Sequence, residues 1–295
     1  FNQRYNMAKV ISSDLVANTL IESGEALAPT KIAPFKVFAK DFSDEAEVYA
    51  NGKFKTAKIA FTGTAPTVAV NPSSFGVDDS SNTEVVEVGI NLLSAPIMAN
   101  WNDTVSIKQY VKAALQAVVD KMSLTAFSLF TTTAFPAAKQ VSVDIAGATT
   151  QEKQAQLMKT LYKGTNSGVE KYLIGGSDLF SCALPANLVG FKPEEGGYGF
   201  NGIYEQNLWA SGSTIKGIIT DGRAVAMVAR VPEWANEIKE GMVSENVYIP
   251  NLDITVQFNK WADMNGRIVK GSLDIAFGAA LFDKTATKVV VQSAS

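Results

Sequence analysis

Few residues in this chain have types and spacing that could carry chemistry. Cys182 is its one cysteine, and it contains no histidine. Without imidazole there can be no Ser-His-Asp or Cys-His nucleophile pair, no imidazole general base and no His metal ligand. A single cysteine excludes an intrachain disulfide, a thiolate zinc site and an iron–sulfur cluster. An enzyme built from this sequence would rely on carboxylate, Lys or Tyr chemistry.

Each remaining candidate has a plainer reading. Cys182 lies among Leu179, Phe180 and Leu184 on a short helix, the setting of a buried inert thiol. Gly175-Gly176 precedes a helix start and could present backbone N–H groups to an anion. It lacks the P-loop lysine and the dinucleotide glycine spacing, so it reads as a tight turn. Asp78, Ser80 and Asn82 resemble the first half of a calcium loop, but Thr83 takes the required Gly position and no Glu stands twelfth. The acidic pairs Asp78-Asp79 and Glu194-Glu195 fall in loops and read as solvated surface. A glycosidase needs two carboxylates facing each other across a substrate, and nothing in the sequence brings two together. Asn102-Asp103-Thr104 matches a glycosylation pattern without a secretory signal to make it relevant. Phe35, Phe38, Phe42, Trp101, Trp209, Trp234 and Trp261 are scattered as packing or interface anchors, not interleaved with Arg as a stacking platform. No catalytic, cofactor or metal constellation emerges.

Composition agrees with a structural role. The 295 residues are 46% apolar and 19% charged, a globular balance with one or two domains' worth of core. The net charge of −3 leaves no basic footprint for sequence-specific DNA binding. Apolar runs such as 224–229 fall far short of the ~20 residues of a membrane span. FNQRYNMAKV shows no signal peptide, and the start at Phe1 leaves proteolytic trimming and a shortened chain both open.

The elements that would position these residues follow from periodicity. Residues 1–33 hold scattered apolar positions, with a helix expected around 14–23 before Gly24, Pro29 and Pro34. Too little is present for a core, so this segment reads as an arm lying on something else. Asn51-Gly52 between EVYA and KFKTAKIAF predicts a long charged hairpin, because a type I′ turn needs positive φ at both central residues. Residues 66–83 read as loop and 84–96 as one strand. Ile107, Val111, Ala114, Leu115, Val118, Val119 and Met122, with Tyr110, form a helical stripe, and Ser106 with Gln109 looks like its capping box. A helix over 106–130 would be about 37 Å long.

Thr149 with Glu152 predicts a second capping box, and Gly164 the end of that helix. KYLIGGSDLFSCALP reads as strand, glycine turn and short helix from Ser177 to Pro185. The glycine-rich stretch 190–202 reads as a mobile loop. Asp221-Gly222 predicts a hairpin between TIKGIIT and RAVAMVARV, and Asn265-Gly266 another between DITVQFNKWAD and RIVKGSLDIAF. Ile254, Val256, Phe258, Leu273, Ile275 and Phe277 alternate as half-buried strands. The whole is mixed α+β with an antiparallel bias.

This order of elements resembles the major capsid protein of tailed double-stranded DNA bacteriophages, the Hong Kong 97-type fold. KVFAKDFSDEAEVYANGKFKTAKIAF is similar to that family's E-loop entry. VEVGINLLSAPIMANWNDTVSIKQYVKAALQAVVDKM resembles the strand leading into its spine helix. TDGRAVAMVARVPEW resembles an A-domain strand pair. DITVQFNKWADMNGRIVKGSLDIAFGAALFD resembles the returning P-domain hairpin, with Asp263 and Gly266 at a tip one residue shorter than the family's. The glycine-rich 190–202 loop has no counterpart.

The resemblance implies an N-terminal arm at 1–33, an E-loop at 34–66 and a P-domain at 67–142 with its spine helix at 106–130. An A-domain would follow at 143–250, and 251–295 would return to the P-domain and the A-domain edge. It implies a self-assembling icosahedral shell of pentamers and hexamers, with no enzymatic activity and no cofactor. Portal and scaffolding or decoration proteins would be further partners, packaged DNA would be contacted non-specifically, and no membrane is involved. The place would be the virion, assembled in the host bacterial cytoplasm. Contacts between subunits would lie at the E-loop tip (Asn51, Gly52, Lys53, Lys55), at the hairpin around Asp263, Asn265 and Arg267 near three-fold positions, and at Tyr198 and Phe200 near the capsomer axis. Some members cross-link Lys to Asn between subunits; Lys53, Lys55 and Asn259 exist here, but no catalytic carboxylate is assigned.

Elementary physics points the same way. An arm and a long hairpin without cores would expose apolar surface and strand edges unless draped over neighbours. A closed shell satisfies every copy of a head-to-tail interface, and an acidic balance keeps the inner wall from gripping DNA. An encapsulin-type nanocompartment shares this fold with a protein cargo. A monomeric carbohydrate-active or carbohydrate-binding protein using carboxylates and surface tryptophans is the alternative of another class.

Overall fold

The computed structural model describes residues 13–31, 37–39, 45–50, 53–62, 65–72, 86–89, 91–98, 104–164, 170–184, 192, 196–209, 213–220, 224–232, 242–263, 268–281 and 287–293. Its centre is the helix α2 (Thr104–Phe127), as the apolar stripe predicts. Ile107, Val111, Leu115, Val118, Val119 and Met122 are all buried. The helix opens at Thr104 and closes at Phe127, so Ser106 sits in the first turn and not at the cap. Tyr110 lies beyond the edge of a buried stripe ~100° wide and is 48% exposed.

α2 packs on a six-stranded sheet. Its strands are β1 (Val37–Ala39), β6 (Asn91–Met98), β11 (Val225–Arg230), β12 (Val243–Ile249), β13 (Ile254–Asp263) and β14 (Ile268–Leu281). They run β1-β11-β14-β13-β12, with β6 on β14 as well. Ile97, Ile254, Val256, Phe258, Leu273, Ile275 and Phe277 supply the apolar face and share one core with α2. The β13–β14 hairpin forms as predicted, closing at Asp263 opposite Ile268 across a four-residue connection. The expected alternation is only half right, because Gln257, Asn259, Ser272 and Asp274 on the other face are buried too.

α1 (Ser13–Lys31) extends past the predicted 14–23 window. It packs against α2 and β12 of its own chain, with Val16 and Leu20 buried. A Cβ at Gly24 would collide with the side chain of Ile249, so glycine permits the close approach. Thr19 and Ser23 return their hydroxyls to the carbonyls of Leu15 and Thr19, which lets both be buried. The helix of the arm therefore rests on its own body; residues 1–12 lie outside the described set.

The predicted hairpin is half of a four-stranded antiparallel sheet, β2 (Glu45–Ala50), β3 (Lys53–Thr62), β4 (Ala65–Pro72) and β5 (Val86–Gly89), in that order. Ala50 pairs with Lys53, which leaves a two-residue connection at 51–52. Thr62 pairs with Ala65 across 63–64. The loop reading of 66–83 is corrected: Ala65–Pro72 is a strand. Gly63-Thr64, a glycine-first dipeptide suited to a two-residue turn, was the overlooked signal. The single strand expected at 84–96 is two, β5 in this sheet and β6 in the large one. Four strands also resolve the marginal stability of an isolated hairpin.

A second layer forms around β7 (Gln140–Val143), β8 (Tyr172–Gly175), β9 (Gly202–Glu205), β10 (Ile215–Thr220) and β15 (Thr287–Gln292), in the order β7-β15-β10-β8-β9. With α3 (Gln151–Lys163) and α4 (Ser177–Ala183) it encloses its own core of Leu157, Met158, Leu161, Leu173, Leu179, Ile203, Ile219 and Val290. The cap of α3 is Thr150, accepting from the Lys153 amide at 3.4 Å, one residue later than the predicted Thr149 and Glu152. Gly164 ends α3 and Gly176 precedes α4, as expected.

The Asp221-Gly222 hairpin is not formed. β10 pairs with β15 and β8 in the small sheet, whereas β11 pairs with β14 and β1 in the large one. Every residue of β10 is buried. A strand covered on both faces needs two neighbours, and these long-range partners outweigh the local turn signal.

Candidate assembly surfaces

Of the residues expected at subunit contacts, Lys53, Lys55, Asp263, Tyr198 and Phe200 are among those described. Lys53 and Lys55 stand at the start of β3, opposite Ala50 and Val48. Asn51 and Gly52 lie outside the described residues. Asp263 ends β13, and Asn265 and Arg267 lie outside the described residues.

The turn that holds Tyr198 and Phe200 is built in detail. Gly197 donates its amide to Phe200 O at 3.2 Å, and Phe200 donates back to Gly197 O at 2.9 Å. Between them Tyr198 has φ 53° and Gly199 φ 90°, with Gly196 also positive at 87°. The described part of the expected mobile loop is thus a tight two-residue turn. Phe200 is 4% exposed and meets Tyr162 edge-on at 5.8 Å. It anchors the turn in the core of its own chain, and Tyr198, 41% exposed, is left at the tip.

The chemical candidates resolve into packing. Cys182 is buried, and burial pushes its thiol up from the ordinary range. A Cβ at Gly176 would strike the backbone carbonyl of Trp209, so the glycine pair is a close-packed turn. Trp209 is buried against Phe127 and Phe130 at 5.6 and 6.4 Å, joining the end of α2 to the second layer. Tyr172 donates to Glu170 at 2.8 Å; burial first, and this carboxylate second, push its phenol up to about 12. Among the described residues no group of three or more His, Cys, Asp or Glu is placed to hold a metal. Among the same residues no helix is long and apolar enough to cross a membrane. Asp78, Asp79, Ser80, Asn82, Glu194, Glu195, Asn102, Trp101 and Trp234 lie outside the described residues.

Sequence reasoning missed a buried polar row on the second face of the large sheet. Asp274 accepts from Asn259 Nδ2 at 2.6 Å, Ser272 Oγ at 3.0 Å and Ser94 Oγ at 2.5 Å. Ser244 donates to Asn259 Oδ1 at 2.5 Å, and Gln257 reaches Asn246 at 3.4 Å. The signal was present as polar residues at every second position of β13 and β14, a pattern that reads equally as a solvated face. Asn259 is 1% exposed and engaged on both sides of its amide.

The class defined is a mixed α+β chain in which Ile174, Ile218 and Val289 of the small sheet join the core of α2 and the large sheet, α3 and α4 close a second core, and a third sheet is built on a hairpin. No family model and no curated protein matches it. Solved structures similar to it include phage capsids and an encapsulin. The capsid of the cyanophage P-SCSP1u is 11% identical, with 88% of this chain and 87% of that one covered and a TM-score of 0.44. A Mycobacterium phage Che8 structure is 12% identical over 84% and 95%, with a TM-score of 0.41. The capsid of an empty GTA particle is 9% identical over 90% of both chains, with a TM-score of 0.48.

Proposed function

We propose that the chain is the structural subunit of an icosahedral capsid shell enclosing phage double-stranded DNA. The observation that supports this reading is the order and pairing of its elements. An arm helix precedes a hairpin sheet, a helix then crosses the large sheet, a second layer follows with its own core, and β13–β14 returns to the first sheet. The resemblance implies the same order. In this reading the sheet β2–β5 is the E-loop, the large sheet with α2 the P-domain, and the small sheet with α3 and α4 the A-domain.

The work of such a subunit is geometric. In this reading the body of the subunit carries the Tyr198 turn and the β2–β3 and β13–β14 hairpins to its neighbours. Copies of the same chain in pentamers and hexamers satisfy those tips, and closure leaves none of them open. Portal and scaffolding or decoration proteins complete the list of partners, and the net charge of −3 suits non-specific, weak contact with the genome. Assembly takes place in the host cytoplasm and the product is the virion.

Size-exclusion chromatography and negative-stain imaging of the full chain test the reading. Megadalton shells are expected, and a 31.5 kDa monomer would overturn it in favour of a carbohydrate-directed role. Shells that enclose a protein cargo and no nucleic acid would move the chain to the encapsulin-type nanocompartments.

A further inference from the structure

We infer that Tyr198 is held at its turn for its side chain, as a contact to a second copy of this chain. Left-handed φ at both central positions of a two-residue turn favours Gly, Asn or Asp. Gly199 meets that requirement, whereas Tyr198 at φ 53° does not. A bulky residue in this region is a conformational outlier that the surrounding structure must sustain. Within its own chain Tyr198 returns little for it. Its side chain is 41% exposed, and among the described residues it makes no hydrogen bond or ring contact. The anchoring falls to Phe200 two residues on.

The tip does not stand alone. Tyr162, 38% exposed, lies beside Gly199, where a Cβ would come within 2.7 Å of its ring. The same ring is held edge-on by Phe200, and Lys171 Nζ sits 4.0 Å from its centroid. Lys171 is itself fixed by a bond to Tyr162 O at 3.2 Å. Tyr162 is thus ordered by packing at the foot of the turn, so little of its side-chain freedom is lost when a partner covers it, and Tyr198 projects beside it from a backbone pinned by the paired Gly197 and Phe200 bonds.

The size of the pad selects the partner. Two tyrosines supply far less than the roughly 1,200–2,000 Å² of a stable independent interface. A contact this small counts when other contacts hold the partner in place and the same contact recurs around a ring. That condition is met by copies of this chain in a shell, so the inference rests on the capsid reading.

Three variants of the full chain test it: Tyr198→Gly, Tyr198→Asn and Tyr198→Phe. Gly and Asn relieve the turn, so dissociated subunits should melt at or above the wild-type temperature. The subunit concentration at which shells first sediment should rise about tenfold for both, while Tyr198→Phe stays within about threefold of wild type. Wild-type thresholds for the Gly and Asn variants would overturn the contact. A lower melting temperature for both would also overturn it, placing Tyr198 in the fold of the subunit. A wild-type chain that stays monomeric at every concentration would overturn the capsid reading and this inference with it.

Discussion

Asn259 and Asp274 meet diagonally across β13 and β14, the amide nitrogen 2.6 Å from the carboxylate oxygen. The same carboxylate takes hydroxyl bonds from Ser272 and Ser94, and so ties β6, β13 and β14 together on the face away from α2. A buried polar group stabilises only while every partner is present, because an orphaned donor in this setting carries its full desolvation penalty.

Asp274→Ala should therefore destabilise the subunit by about 2–4 kcal/mol, leaving the buried Asn259 amide and Ser272 hydroxyl without this acceptor while the exposed Ser94 turns to water. Chemical denaturation checks this, with the midpoint falling at unchanged slope. A loss below about 0.5 kcal/mol would show that water or rearrangement replaces the carboxylate.

Tyr172 gives a pH signature. Its folded phenol ionises at about 12 against an ordinary value of 10.0, so the folded state holds the proton more tightly than the unfolded one. The associated stability is fully present below pH 10 and is lost as pH rises from about 10 to about 12. Glu170→Gln removes the second cause and leaves burial, the larger one, so the phenol should ionise earlier yet still above the ordinary value. Ultraviolet titration of tyrosinate in the two proteins measures the difference, and identical curves would remove Glu170 as a cause.

Gly24→Leu should peel α1 from the body. The added side chain meets Ile249, and overpacking of this kind costs about 1–3 kcal/mol. Limited proteolysis should then cut within 13–31 much faster, while hydrogen exchange in β13 and β14 stays slow. Equal loss of protection in both would mean that α1 is integral to the main core.

Lys53→Glu with Lys55→Glu reverses the charge at the start of β3. The expected outcome is an unchanged melting temperature and a shell-forming concentration raised about tenfold, with a smaller difference at high salt. Sedimentation at two ionic strengths checks it, and wild-type assembly would remove the hairpin tip as a contact.

Local rules reached a good part of the fold. α2 was legible because seven apolar residues repeat at helical spacing, and α3 because Leu157, Met158 and Leu161 do the same before Gly164. The Asn51-Gly52 and Asn265-Gly266 hairpins were legible because their turns demand particular residues. Boundaries moved by one to three positions where several hydroxyl residues competed for a cap, as at Thr149 and Thr150.

What escaped was decided at long range. Asp221-Gly222 carries the same turn chemistry as Asn51-Gly52, yet β10 and β11 part into different sheets, since each is buried on both faces and finds better partners far along the chain. The arm gave no hint that Gly24 would seat α1 on Ile249. Alternating Gln257, Asn259, Ser272 and Asp274 looked like a wet face until four strands brought them under cover. Tyr198 and Phe200 stand two residues apart in one glycine-rich run, and only the turn separates a buried anchor from an exposed tip. Local sequence settled the helices α2 and α3 and the β2–β3 and β13–β14 hairpins, because those choices depend on neighbours within a few residues. Which strands pair and which side chains meet solvent was left to tertiary structure, because they depend on contacts between residues far apart in the chain, such as Ser94 and Asp274, 180 positions apart.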